Sequence, residues 1–223
     1  MRRKLIIVGV VVSVCFGVII TRAILEGRSA LSKGDKAQAA GDPDGAIRWW
    51  RRAARWYVPM APHVSSAYDR LETLANAAEA KAKSAKTPAE SRAHRRIALA
   101  AWRGIRGSIL STRSFYTPFA DKLEPANERI SGLMALQEGD KAAKKVLVER
   151  AEWHYEQLKR DDSPSVFWSI IALLGFATWI GGGVLFALRG ITADDKLVTR
   201  SAAHAGLLVA GGLVVWMLGL YSA

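Results

Sequence analysis

Three uncharged apolar runs constrain this chain more than any other feature, because each is long enough to be driven out of water. The first, residues 5–21 (LIIVGVVVSVCFGVIIT), is flanked by Arg2, Arg3 and Lys4 on one side and Arg22 on the other. At 1.5 Å per residue it reaches roughly 25 Å, enough to cross a bilayer core when Lys4 and Arg22 snorkel. A cleaved signal peptide would need a small-x-small site after the run, and Thr21-Arg22-Ala23-Ile24-Leu25 offers none. Val14 before Cys15 likewise fails a lipoprotein signal. The run therefore reads as an uncleaved signal anchor.

Residues 166–188 and 205–221 form the second and third runs, free of Asp, Glu, Lys and Arg. Both are glycine-rich, and small residues recur four apart at Ala177/Gly181, Thr178/Gly182 and Ala202/Gly206/Ala210. That spacing lets helix backbones approach closely in lipid. It predicts that Ala177, Gly181, Gly182, Gly206 and Ala210 pack the two spans as a hairpin, in preference to a seam between copies.

Orientation follows from charge in short loops. Arg2, Arg3 and Lys4 share the cytoplasmic side with the loop carrying Arg189, Lys196 and Arg200 under the positive-inside rule. Three crossings then put the N-terminus inside, the middle of the chain outside and the C-terminus outside. Trp168, Trp216 and Tyr221 fall near the outer interface, where amphipathic aromatics prefer to sit. The expected organisation is a transmembrane anchor (1–22), a basic helical extracytoplasmic domain (23–163) and a transmembrane hairpin (164–223). In a cell with an envelope, that places the domain in the periplasm and the protein in the inner or plasma membrane.

The middle of the chain carries 26 Lys and Arg against 18 Asp and Glu over residues 22–162, a net +8. Long domains cross membranes largely regardless of charge, so this does not overturn the orientation. Proline and glycine punctuate a helical pattern throughout, and no alternating β-branched run points to a strand. Asp42-Pro43 opens a helix to about 58, closed by Pro59 and Pro62. A second helix runs from 64 to 85. Thr87-Pro88-Ala89-Glu90 is a capping box opening a third, to 110. Thr117-Pro118 starts a fourth, to 137, with Pro125 as a candidate kink, and Gly139-Asp140 separates it from a last helix over 141–160. The fold class is all-α.

Residues 30–59 carry a denser signal. Gly34 and Ala37 sit in one helix, Gly41-Asp42 makes a turn, and Ala46, Ile47, Trp50 and Ala53 follow in the next before Pro59. This arrangement resembles a tetratricopeptide-repeat hairpin, in which small residues let two helices pack closely and the aromatic fills the gap between hairpins. The resemblance implies a helical-hairpin scaffold that binds other proteins, with Gly34, Ala37, Gly41, Ala46, Trp50 and Ala53 in packing roles. Ala98-Leu99 followed by Trp102, and Gly139-Asp140, echo parts of the pattern without the period of about 34 residues.

Signs of chemistry are sparse. The histidines (His63, His94, His154, His204) are too dispersed for a metal motif, and no nucleophile or phosphate-binding motif occurs. Glu152 and His154 point about 200° apart on a helix that reads as a solvated face. No catalytic residue, metal or cofactor is expected. The single cysteine, Cys15, lies in the first apolar run and excludes an internal disulfide. Nucleic acid is not an expected partner, because no recognition motif is present and the orientation puts the domain on the wrong side.

One surface stands out on the helix after Asp42. Ala46, Trp50, Ala53 and Tyr57 share its buried face, with Ile47 and Ala54 at the edge and Arg48, Arg51 and Arg55 opposite. Trp49, Arg52 and Trp56 line the border. They either widen the buried face or form a docking stripe for a partner or for lipid, since Trp and Arg dominate interface hot spots. The expected function is a non-enzymatic, membrane-anchored scaffold or adaptor in a cell-envelope complex, in contact with membrane lipids and other protein subunits. The alternatives are a binder of anionic envelope polymer or lipid, and an accessory subunit of a membrane transporter.

Overall fold

The computed structural model describes residues 2–114, 116–139, 142–160, 165–191 and 197–223, with only the backbone described for 2–9, 11 and 12. Asp140, Lys141, the segment from Asp161 to Pro164, Thr192 and Lys196 lie outside the described residues. Two compact units divide the chain, Met1–Arg160 and Asp161–Ala223. Among the described residues the chain is all-helical apart from turns and one isolated antiparallel bridge, Ile191 to Leu197.

In the first unit, α1 (Arg2–Ala39) passes Arg22 without a break. The apolar run and the first helix of the following domain are one rod, about 57 Å long for its 38 residues. It ends in a Schellman motif: Asp42 N–H bonds Ala37 C=O at 3.0 Å and Gly41 N–H bonds Gln38 C=O at 3.1 Å. Gly41 takes φ +76° there, a conformation that favours a residue with no Cβ. Asp42 then turns from stop to start. Its carboxylate accepts from Gly45 N–H at 2.8 Å and opens α2 (Pro43–Arg55) with proline at the first position.

Next come α3 (Pro62–Ser84) and α4 (Pro88–Ser111). Thr87 caps α4 by accepting from Glu90 N–H at 3.2 Å, while the Glu90 carboxylate reaches back to Lys86 N–H at 3.2 Å. A short 3-10 turn (Ala120–Lys122) leads into α5 (Leu123–Glu138), followed by α6 (Lys144–Lys159). Pro118 does not start a helix, because Phe119 adopts a left-handed φ of 56° and breaks the path. Nor does Pro125 kink one. It is the third residue of α5, where its missing N–H has no intrahelical acceptor to lose.

Side-chain contacts set the register of the first three helices. Gly34 on α1 faces the Trp50 ring on α2, and Gly27 faces the His63 ring on α3; at both positions a Cβ would overlap the ring. Arg70 on α3 reaches Asp35 on α1 at 3.0 Å. Thus α2 runs antiparallel to α1, and α3 runs parallel to it. The contacts of α1 with α3 and of α2 with α4 stack the first two hairpins side by side.

Ala46, Trp50, Ala53, Tyr68, Leu71, Ile105, Ile109 and Ile130 form the centre of one continuous core. Ile47 and Ala54 belong to that core rather than to its edge, because α2 is covered on two sides, by α1 and α3 and by α4. His154 is also buried, not solvated: its Nε2 pairs with Glu138 on α5 at 2.7 Å, while Glu152 is exposed.

The second unit is an antiparallel pair, α7 (Val166–Leu185) and α8 (Thr199–Ser222), with a π-helical turn (Phe186–Gly190) closing the first helix. Residues Val166–Gly190 and Thr199–Ser222 are long and apolar enough to cross a membrane, at 25 and 24 residues. Only 17% of the most apolar stretch of each is buried in the structure, so their apolar side chains mostly face outward.

The seam between them is made of Gly175 and Gly182 on α7 with Ala205, Gly212 and Gly219 on α8, residues spaced by seven. A Cβ on Gly212 would collide with the Trp179 backbone, and one on Gly219 with Ala172. Of the residues singled out by four-residue spacing, Gly182 lies in this seam and Ala202 is buried beside Gly190 at its end. Ala177, Gly181 and Ala210 are exposed, and Gly206 has open space beyond its Cα. A near-antiparallel pair meets along a seven-residue stripe, so four-residue spacing selected the neighbouring face.

Candidate functional site

Trp49 sits half-buried on the outer side of the α1–α2 hairpin, its ring against the core margin. Two cations stand near the ring: Lys33 Nζ from α1 at 4.8 Å from its centre, and Arg52 Cζ from the next turn of α2 at 5.6 Å. Both cations are exposed, and neither has an acidic partner among the described residues. Trp56 is half-buried at the end of α2, where its backbone C=O meets His63 Nε2 at 2.9 Å. The stripe drawn from sequence is thus broken in two. Trp49 and Arg52 form a cation–indole surface with Lys33, while Trp56 belongs to the α2–α3 turn.

The opposite flank of α2 holds a second basic feature. Arg51, expected on the solvent side, instead lays its stem across α4 at Gly104, where a Cβ would stand 3.0 Å from its Cγ and Cδ. Glycine makes the notch that admits it. Burial and then the neighbouring Arg55 hold the Arg51 guanidinium below its ordinary pKa, and its Nε is buried with no hydrogen-bond partner. Arg48, Arg55 and Arg103 remain exposed around it, and Arg48 stands 3.8 Å from Asp42. Farther along α4, Arg92, Arg95 and Arg96 rim a cleft of about 270 Å³ floored by Leu99 and Leu133. Arg96 is tied to Asp44 at 3.4 Å, bridging α4 to α2.

Two buried tryptophans share a construction that the sequence only hinted at. Trp50 Nε1 donates to Asp35 on the preceding helix at 3.1 Å, and Arg70 from the following helix donates to the same oxygen at 3.0 Å. Trp102 Nε1 donates to Glu79 on its preceding helix at 2.7 Å, and Arg129 from its following helix reaches Glu79 at 3.1 Å. Ala46-Ile47 before Trp50 and Ala98-Leu99 before Trp102 are all buried. Each indole therefore plugs a hairpin, and each carboxylate clasps the next one. Within this frame Ala46 and Ala53 are fully buried, Ala37 is half-buried, and Gly34 makes room for the Trp50 ring.

Lys33, Asp35, Glu79 and the Arg51 notch were not singled out from sequence. Only the identity of the neighbouring helix reveals them, although Asp35 directly follows the glycine that admits Trp50. Among the described residues, no group of three His, Cys, Asp or Glu side chains is arranged to hold a metal ion. No family model matches the chain, and neither a curated protein nor a solved structure matches it significantly.

Proposed function

We propose that this protein is a membrane-anchored scaffold that docks an acidic surface of a partner protein through the outer face of its first helical hairpin. The observation that carries the reading is the half-buried Trp49 ring with Lys33 and Arg52 at 4.8 and 5.6 Å from its centre, two cations with no acidic partner among the described residues. A side chain already held in place loses little entropy on binding, and Trp and Arg supply most of the energy at interfaces. The paired Trp50 and Trp102 clasps support a tetratricopeptide-like stack of hairpins as the frame for that face. In this reading residues 5–21 make a third crossing, with the N-terminus cytoplasmic and the helical domain and C-terminus extracytoplasmic.

The test is site-specific photo-cross-linking in intact membranes, from a probe at Arg52 and from one at Lys83. A protein adduct from position 52 that disappears with Lys33→Glu and is absent from position 83 supports docking. Equal labelling from both positions removes the site. A second reading, binding of an anionic envelope polymer or lipid, rests on Arg51, half-buried beside Arg55, whose Nε is buried without a hydrogen-bond partner and which has no carboxylate partner among the described residues. Retained affinity for an anionic polymer after Arg51→Met would dispose of it. Service as a transporter's accessory subunit would instead use the outward faces of α7 and α8.

A further inference from the structure

The helical domain has two ends of opposite chemistry, and the register with α1 says which end meets the membrane. This rests on the reading that residues 5–21 cross the bilayer. Gly27, the residue against which His63 packs, lies five positions beyond Arg22, about 7.5 Å along α1. Because α3 runs parallel to α1 and begins at Pro62, the α2–α3 turn before it lies at or below that level.

The residues of this turn are unusual for a water-facing loop. Residues 56–64, WYVPMAPHV, carry no Asp, Glu, Lys or Arg. Met60 projects from a left-handed backbone (φ 62°) and is 98% exposed. Tyr116, 54% exposed, joins the turn through a 2.6 Å hydrogen bond between its hydroxyl and that of Tyr57. Leu25 on α1, just past Arg22, is 61% exposed at the same level. At the far end the α3–α4 turn reads KAKSAKT, with Lys81, Lys83 and Lys86. The α2–α3 turn is thus aromatic and apolar, whereas the α3–α4 turn is rich in lysine.

We infer that the α2–α3 turn, led by Met60, sits in the headgroup layer of the membrane that α1 crosses. Leu25 and Tyr116 lie beside it, and the exposed guanidiniums of Arg22 and Arg55 stand at the level of the phosphates. Tyrosine and tryptophan favour that layer because one end of each ring system is apolar and the other is wet. An apolar turn beside a membrane anchor needs no protein to cover it. Seating the turn fixes the tilt of the domain, so the Trp49 face and the lysine end are presented at defined heights above the bilayer.

The experiment uses the full chain with Cys15→Ser, reconstituted into lipid-only vesicles containing phosphatidylglycerol. An environment-sensitive fluorophore is attached in turn at Met60→Cys, Lys83→Cys and Val18→Cys, and quenched by spin-labelled lipids of graded depth. The inference expects blue-shifted emission at position 60, quenched several-fold more strongly than at 83 by the shallow label. Quenching at 60 no greater than at 83, with position 18 quenched by the deep label, overturns the inference while leaving the first crossing in place. No deep quenching at position 18 removes the crossing itself, and the inference falls with it.

Discussion

His63 and Gly27 show how much of this fold is decided by single contacts. The imidazole packs against a helix that has no Cβ at that point, and its Nε2 meets the Trp56 carbonyl at the end of α2. Ala46 is in the same situation from the other side, with no exposed surface at all. Ala46→Leu should therefore overpack the first hairpin and lower stability by about 1–3 kcal/mol, read as a fall in melting temperature in detergent. The two clasps should be unequal. Glu79 is 12% exposed and Asp35 41%, so water replaces the lost partner more easily at Asp35. Glu79→Ala should cost more than Asp35→Ala, on the order of 1–3 kcal/mol for the buried Trp102 N–H and its arginine; the reverse order in denaturant melts would refute the clasp model. Alkaline pH offers a further check. Burial raises the Tyr68 phenol from 10.0 to about 12, and the hydrogen bond to Glu72 raises the Lys122 ammonium. Both groups hold their protons more tightly in the folded state, so the unfolded chain binds fewer and stability falls as pH rises. For Tyr68 the contribution is complete below pH 10 and lost as pH passes about 12. Tyr68→Phe should flatten that part of the curve, measured as melting temperature against pH.

At the level of elements, starts and stops were the legible part. Asp42-Pro43 and Thr87-Pro88 cap helices where their chemistry demands, because capping is local and needs no neighbour. The start at Leu123 was not legible: Pro118 looks like a first helical residue until Phe119 turns left-handed to place its ring 4.7 Å from that of Tyr68. The membrane-type hairpin repeats the lesson in glycine. A helix can be glycine-rich on several faces, and only the partner decides which face is used. Gly212→Val should force α7 and α8 apart, whereas Gly211→Val, which meets nothing, should leave the pair intact. Detergent melting of the full chain separates the two, and equal losses would place the seam elsewhere.

For the whole molecule, the decisive measurement is topology. Reporter fusions should show residues 77–87 outside, position 192 inside and the C-terminus outside. A cytoplasmic signal from 77–87 would reverse the scheme and reopen nucleic acid as a partner. By itself the sequence determined that the chain is helical, that two of its helices are long and apolar enough to cross a membrane, and where most helices begin. These follow from composition, periodicity and caps, which act over a few residues. Tertiary structure decided the rest, because it depends on which helix lies alongside. It continued α1 through Arg22 into the domain, drew Arg51 off the solvent face into a glycine notch, and paired Trp50 with Asp35 and Trp102 with Glu79. It also split Trp49 from Trp56, giving one to a cationic face and the other to the turn. Side chains seven residues apart share a helix side, but they share a site only if no neighbouring element claims one of them, and here His63 claims the end of α2.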